Sequence, residues 1–314
     1  MPDLRPVVEQ EQVLALLQQH FKEPISDLEA IEGGQVARAF VFSVDEQEYI
    51  LRFNDASHMP ISFVKEANLS QRIASSSIPF PPVLQVGNWR GLHFAISQRL
   101  PGQMLMELPI QEIEQLLPEV ITILDAIHHI DVSQSKNYGT FDGQGVGLFP
   151  DWRSSLVQVR EEEEDWNYFG KWHVLFEQTF LEWKLFDDIF EHMIGLLDYC
   201  PAERYFVHGG YSFSNILAHA GKITGVVDWI GAQYGDFVYD IAGLDFWVPE
   251  LNMRERCLHY YQEHQVHIPF YNERVLCYEC HTMLVAMRFF AKKEDAQGYQ
   301  WVCQRMQQLL QCSA

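Results

Sequence analysis

Long apolar runs are missing from this 314-residue sequence, so no segment of the roughly 18 uninterrupted apolar residues that a membrane helix needs is expected. The opening stretch, MPDLRPVVEQEQ, also lacks the apolar core of a secretory signal. Both absences point to a cytoplasmic protein. Cysteine is scarce: six residues, Cys200, Cys257, Cys277, Cys280, Cys303 and Cys312, are too few and too scattered for a disulfide framework in a chain of this length. Positive charge is short as well, with 22 Lys and Arg against 43 Asp and Glu and a formal net charge of -21. That balance repels nucleic acid and anionic membrane surfaces and suits a cationic small molecule, although it also serves plain solubility. Neither an internal repeat nor a heptad pattern is present, which leaves a monomer as the default.

What the chain does have is apolar content, 47%, ample for the core of one large domain or two ordinary ones. Val13, Leu16, Leu17, His20 and Phe21 recur at helical spacing and predict an opening helix packed on a sheet. An apolar segment at 28–31, the turn residues Gly33 and Gly34, and an alternating run at 37–44 with Phe40, Phe42 and Val44 on one face predict a hairpin. YILRF at 49–53 is a third strand, carrying Arg52, and the helical stretch 63–74 carries Glu66 as its natural partner. IPFPP at 78–82 cannot be helical. Residues 93–97 read as a strand and QRLPG at 98–102 as a hinge. A second, helical half opens with Ile113, Leu116, Leu117, Val120, Ile121 and Leu124 on one face.

Three features of that half have competing readings. YGTFDGQG at 138–145 reads as a surface excursion. Five consecutive acids at 161–165, near Trp166, Tyr168, Trp172 and Trp183, read as a solvated segment or as an acidic, aromatic overhang for a cationic ligand. Cys277, Cys280 and His281 spell the C-x-x-C-H of haem attachment, but inside an apolar helical run at 276–290, where a chance match is the expectation.

The chemistry concentrates at 208–240, HGGYSFSNILAHAGKITGVVDWIGAQYGDFVYD. A strand at 205–207 leads into a polar loop ending on Asn215, and two short strands with a turn at Ala220-Gly221 return the chain to Asp228. Phosphoryl transfer needs magnesium among the phosphate oxygens and an alcohol held in line with the phosphorus. His208 and Asn215 have the spacing of a kinase catalytic loop, and Asn215 and Asp228 offer hard oxygen ligands for Mg2+ from adjacent segments. Two residues after His208, where a carboxylate would accept the hydroxyl proton, stands Gly210.

H-G-G-x-x-x-x-N, V-D-W and G-D-x-x-Y-D together resemble the aminoglycoside phosphotransferase family, whose pattern runs H-G-D-x-x-x-x-N, I-D-W and G-D-x-x-Y-D. RAFVFSV, YILRFN, IPFPPVL, GTFDGQGVG and DWR extend the resemblance, in order, over nearly the full chain and toward the branch acting on hygromycin B. It implies an α+β, two-lobed, protein-kinase-like fold: a small antiparallel β-sheet lobe over 1–100, a hinge at 98–102, and a larger, mostly helical lobe over 103–314. It implies ATP and Mg2+ as cofactors, and transfer of a phosphoryl group to a hydroxyl of a cationic aminoglycoside or aminocyclitol, an antibiotic-resistance activity. Gly33 and Gly34 would then cover the phosphates and Arg52, paired with Glu66, would grip them in place of the usual lysine. Gln98 and Leu100 would meet adenine, Asn215 and Asp228 would hold the metal, and Asp240 would brace the loop without reacting. Asp236 is expected to cap the following helix, and Asp245, Glu250 and Glu263 are candidates for the acceptor pocket. Gly210 leaves two readings open. One is a phosphotransferase whose activity is attenuated or lost, since Tyr211 and Ser212 are poor bases at neutral pH; the other is a non-catalytic nucleotide- or aminoglycoside-binding pseudokinase.

Overall fold

The computed structural model describes residues 5–32, 37–55, 62–74, 76–163 and 168–312. Strand alternation builds the small lobe. β1 (Ser26–Ile31), β2 (Arg38–Val44), β3 (Gln47–Asp55), β4 (Val83–Trp89) and β5 (Leu92–Gln98) form an antiparallel sheet in the order β1-β2-β3-β5-β4. Phe40, Phe42 and Val44 of β2 share one face with Leu51 and Phe53 of β3, and all five bury against Val13, Leu16 and Leu17 of α1 (Gln10–His20). The two-residue period then sends Arg52, on the central strand, to the other face. There it meets α2 (Ser62–Ile73), the helix inserted between β3 and β4. Leu69 and Ile73 of α2, however, belong to the core of the second lobe. A helix of the small lobe is thus rooted in the large one.

The chain leaves the five-stranded sheet at Gln98 and, by Gln103, has joined another. β6 (Gln103–Met104) is followed by α3 (Ile110–His128), whose Ile113, Leu116, Leu117, Val120, Ile121 and Leu124 are all buried, as their spacing predicts. Next come β7 (Tyr138–Phe141), β8 (Gly147–Phe149), α4 (Trp152–Val157), α5 (Leu175–Gln178) and α6 (Trp183–Leu196). β9 (Tyr205–Val207), β10 (Ile216–His219), β11 (Lys222–Val226) and β12 (Gln233–Gly235) precede α7 (Val238–Trp247), α8 (Met253–Glu263), α9 (Tyr271–Lys292) and α10 (Ala296–Cys312). The short strands make two small sheets, β11-β10-β6 and β8-β7-β12-β9, which frame the loop at 208–215.

Two sequence readings change here. Residues 138–147 are no surface excursion: Phe141 is buried, stacked on Tyr234 at 4.6 Å, and Gly143 accepts a 2.6 Å hydrogen bond from Asn68 Nδ2 of α2. The segment is the large lobe's contact with α2. Asp236 does accept from the Val238 amide at 3.1 Å, but its buried carboxylate is mainly held by Arg274 Nε at 2.8 Å, Arg274 Nη2 and the Tyr278 hydroxyl at 2.6 Å. The sequence offered no pointer to Arg274. Cys277 and Cys280 lie on the buried side of α9, while His281 Nδ1 meets the Tyr239 hydroxyl at 3.1 Å. Among the described residues, no group of three or more His, Cys, Asp or Glu could hold a metal ion, and no helix is long and apolar enough to cross a membrane.

Burial disfavours the charge on Arg274, but the hydrogen bonds and charge of Asp236 more than offset that and leave its pKa raised. Removing one partner strands the other in the core. Arg274→Met should therefore cost about 3–5 kcal/mol, read in urea as a lower midpoint at unchanged m-value.

Candidate active site

β9 delivers the chain to His208, and from there a buried carboxylate fixes the path of the loop. Asp240, in the first turn of α7, accepts from the His208 amide at 2.7 Å and the Gly209 amide at 2.8 Å, with His128 Nε2 3.3 Å from its Oδ2. Charge-assisted bonds of this kind hold backbone more firmly than neutral ones. The His208 ring is fully buried and packs on Trp229 at 4.5 Å. Burial pushes its pKa down to about 4, so it is neutral at pH 7 and works by packing. Tyr211 ties the loop to α3 by donating to the Val120 carbonyl at 2.8 Å.

Gly209 and Gly210 are adjacent but differ in what they demand. Gly209 has φ +76, and a Cβ there would collide with the Gly231 carbonyl oxygen. Only glycine fits. At Gly210 φ is ordinary, and a Cβ would meet Asn215 Nδ2 at 3.7 Å and His208 Nδ1 at 3.8 Å, both plain van der Waals contacts. The loop has the shape that a side chain at 210 requires, and no side chain.

Asn215 donates its Nδ2 to the Gly210 carbonyl at 2.9 Å, which leaves Oδ1 as the end of the amide available to a cation. Its own carbonyl accepts from the Val227 amide at 2.9 Å, which ties Asn215 to the approach to Asp228. Asp228 has left-handed backbone, φ 64 and ψ 56. The residue is exposed to solvent yet has enough protein around it that burial, then repulsion from Glu66, raise its pKa while Arg52 opposes them. Across from it Arg52 grips Glu66 in a two-point ion pair, Nη1 to Oε1 at 3.1 Å and Nη2 to Oε2. Burial works against the Arg52 charge, but Glu66 and Asp228 outweigh it and the pKa is raised. Two carboxylates and the Arg52 guanidinium share this field, and Glu66 also acts on the buried amine of Lys65. The donor set fits Mg2+, which takes one or two protein oxygens and fills its shell with phosphate and water.

The other expected residues fall in several places. Gly33 and Gly34 lie outside the described residues. The Gln98 amide donates to the Pro82 carbonyl at 2.9 Å, and Leu100 packs over β11, where a Cβ on Gly225 would touch Leu100 Cδ1 at 2.7 Å. Asp245, Glu250 and Glu263 are not brought together: Asp245 is buried against the Arg254 amide at 3.0 Å and Arg305 Nη2 at 3.4 Å, Glu250 is in an exposed turn, and Glu263 pairs with His259 on α8. Of the acidic run, Glu164, Asp165 and the neighbouring Trp166 lie outside the described residues, and Glu163 faces Arg288 Nη1 at 3.7 Å. Trp172 is a core residue, its Nε1 donating to the Glu161 carbonyl at 2.8 Å. One residue of the site escaped the sequence reading. Lys65, next to Glu66, shares the buried side of α2 with Leu69, and its partners are backbone carbonyls, which leave no mark in a sequence.

Against known proteins, the family model described as the phosphotransferase enzyme family, APH, matches residues 27–269. The chain belongs to this family. A relative of this family member, hygromycin-B 4-O-kinase from Escherichia coli, is 31% identical over 241 residues, covering 76% of this chain and 68% of the relative. A thermostable mutant of aminoglycoside phosphotransferase APH(4)-Ia, solved as a ternary complex with AMP-PNP and hygromycin B, superposes with a TM-score of 0.78 at 27% identity, over 96% of this chain and 98% of that one. A putative fructosamine-3-kinase from Haemophilus somnus 129PT matches with a TM-score of 0.62 at 19% identity, over 93% and 96% of the two chains, which bears on the fold alone. The two-lobed α+β kinase-like architecture of this phosphotransferase-family chain is accordingly shared with proteins whose sequences have diverged far from it.

The two glycines should respond oppositely to one methyl group. Gly209→Ala should destabilise by at least about 1–2 kcal/mol from the left-handed backbone alone, with the Gly231 clash added. Gly210→Ala should leave the thermal midpoint within the range of ordinary surface changes, about 0.5 kcal/mol. Thermal or urea melts of the two variants side by side check this.

Proposed function

We propose that this phosphotransferase-family chain binds Mg-ATP between its lobes as a cytoplasmic monomer. It passes the terminal phosphoryl group to a hydroxyl of a cationic aminocyclitol of the hygromycin B class, slowly, because Gly210 stands where the base belongs. The observation that carries the reading is the Arg52–Glu66 pair in the field of Asp228, two anions and one guanidinium brought together from separate elements. The similarity to hygromycin-B 4-O-kinase and to a structure holding AMP-PNP and hygromycin B supports the ligand pair. An acidic surplus of 43 over 22 residues suits a polycationic acceptor.

In chemical terms the acceptor oxygen bonds to the γ-phosphorus as the bond to the β,γ-bridging oxygen breaks and ADP leaves. Arg52 would grip phosphate oxygens through the face of its guanidinium fork not taken by Glu66. Asn215 and Asp228 would hold the divalent cation, which when bound neutralises charge growing on the phosphates. Asp240 keeps the loop in register through the His208 and Gly209 amides. With Gly210 the hydroxyl proton has no carboxylate to go to and passes to water. A general base is typically worth about 10²–10⁴ in rate.

That same glycine favours a second reading, a protein that binds nucleotide or aminocyclitol without turnover. Phosphorylation of hygromycin B by Mg-ATP, measured for the chain as it stands and for Gly210→Asp, separates the two. The variant should be at least about a hundredfold faster, and its Cβ would make only ordinary van der Waals contacts. Nucleotide binding without transfer to hygromycin B or to a panel of aminoglycosides, in either protein, would put the binding reading first. Equal turnover in both would show that the proton acceptor is not at 210.

A further inference from the structure

We infer that Lys65 is a positioning residue which holds Asp228 in its left-handed conformation and so fixes the metal carboxylate relative to Arg52. This rests on the function proposed above and adds to it a residue with no contact to the phosphates. Lys65 is 3% exposed. Its ammonium donates to the Ile230 carbonyl at 2.9 Å, the Ala232 carbonyl at 2.5 Å and Thr140 Oγ1 at 3.3 Å, and lies 4.2 Å over the Phe141 ring. All three N–H groups are engaged, two of them by the turn that comes directly after Asp228.

That turn needs holding. A non-glycine residue at φ 64 and ψ 56 persists only where its surroundings over-determine it. On one side the Val227 amide is tied to the Asn215 carbonyl at 2.9 Å. On the other, Trp229 is pinned by its Nε1 to the Val226 carbonyl at 2.8 Å, and the carbonyls of Ile230 and Ala232 converge on Lys65. Without the ammonium, two carbonyls at the edge of the core would lose their partner, and the turn would be free to relax toward ordinary backbone.

The location of Lys65 explains why a lysine here matters beyond the turn. α2 sends Leu69 and Ile73 into the large lobe's core, while its Glu66 reaches back to Arg52 of the small lobe's sheet. Consecutive residues on one helix therefore take hold of the two halves of the site: Lys65 the segment bearing Asp228, Glu66 the strand bearing Arg52. The charged or titratable groups acting on or near Lys65 are Glu66 from its own helix and His208 from the loop after β9, and burial lowers the Lys65 pKa to about 7 against the pull of Glu66. The function assigned here is geometric and needs only the hydrogen bonds.

Calorimetric titration of ADP with and without Mg2+ tests it, in the unaltered protein, Lys65→Met, Asp228→Asn and the double variant, each first shown to be folded by a cooperative melt. Lys65→Met should lose about tenfold of the Mg2+-dependent affinity while metal-free ADP binding stays within about twofold, the scatter of independent sites. Added to Asp228→Asn, it should cost nothing more. Should Lys65→Met fail to fold, Lys65→Gln, which can still donate to one carbonyl, takes its place in the same cycle. Equal loss with and without Mg2+, or losses that add to those of Asp228→Asn, would reduce Lys65 to a structural residue and overturn the inference. If the unaltered protein binds neither form of ADP, the proposed function itself falls and takes this inference with it.

Discussion

A single buried carboxylate, Asp240, sets the terms for the rest of this molecule. It has two backbone amides as partners, those of His208 and Gly209, and each bond is at or below 2.8 Å. An anion in the core is tolerable only when its lone pairs are satisfied, so the loop cannot move away without leaving Asp240 exposed to a large desolvation cost. The loop in turn cannot take the path Asp240 requires unless Gly209 is left-handed, and Gly209 cannot be left-handed there unless it lacks a side chain. Asn215 then closes the loop on itself through the Gly210 carbonyl. Asp240 holds this geometry from behind, buried and out of solvent.

The helix α2 ties the two lobes together. Leu69 and Ile73 answer to the large lobe, while Glu66 grips Arg52, Phe63 lies under its guanidinium and Ser70 accepts from the Val83 amide at the start of β4. The helix is packed and hydrogen-bonded to both bodies. Charge is arranged on the same plan: the cations of Arg52 and Lys65 are committed to protein acceptors, while the carboxylate of Asp228 is left open and raised in pKa by burial and by Glu66.

Much of this was legible in the sequence, for identifiable reasons. β2 and β3 announce themselves because alternate residues of a half-buried strand differ in polarity, and the buried face of α3 because its period is near 3.6. The brace that Asp240 gives the loop was expected from resemblance and is seen in its bonds to the His208 and Gly209 amides. What escaped has a common cause. Arg274 meets Asp236 across 38 residues, and Lys65 meets carbonyls across 165 and 167, and neither pairing leaves a local pattern. Asp245 could not be placed from sequence because α7 is apolar on most sides, with Asp240 and Asp245 both buried along with Val238, Ile241, Ala242, Leu244 and Phe246, so that no exposed face distinguishes the two acids. The glycine-rich stretch at 138–145 misled through composition, since only Phe141, with Tyr138 packed beside the core, shows an apolar side chain in it.

The room at Gly210 has a meaning for the history of the chain as well as for its chemistry. Aspartate is a single base change away from half of the glycine codons, and at this position its Cβ would meet only ordinary contacts on an ordinary backbone. The ordinary backbone and the open space around a Cβ at 210 come from a loop path set by Asp240 and Asn215. A lineage carrying this loop therefore sits one substitution from the H-G-D-x-x-x-x-N pattern, with no clash at the Cβ to oppose the step.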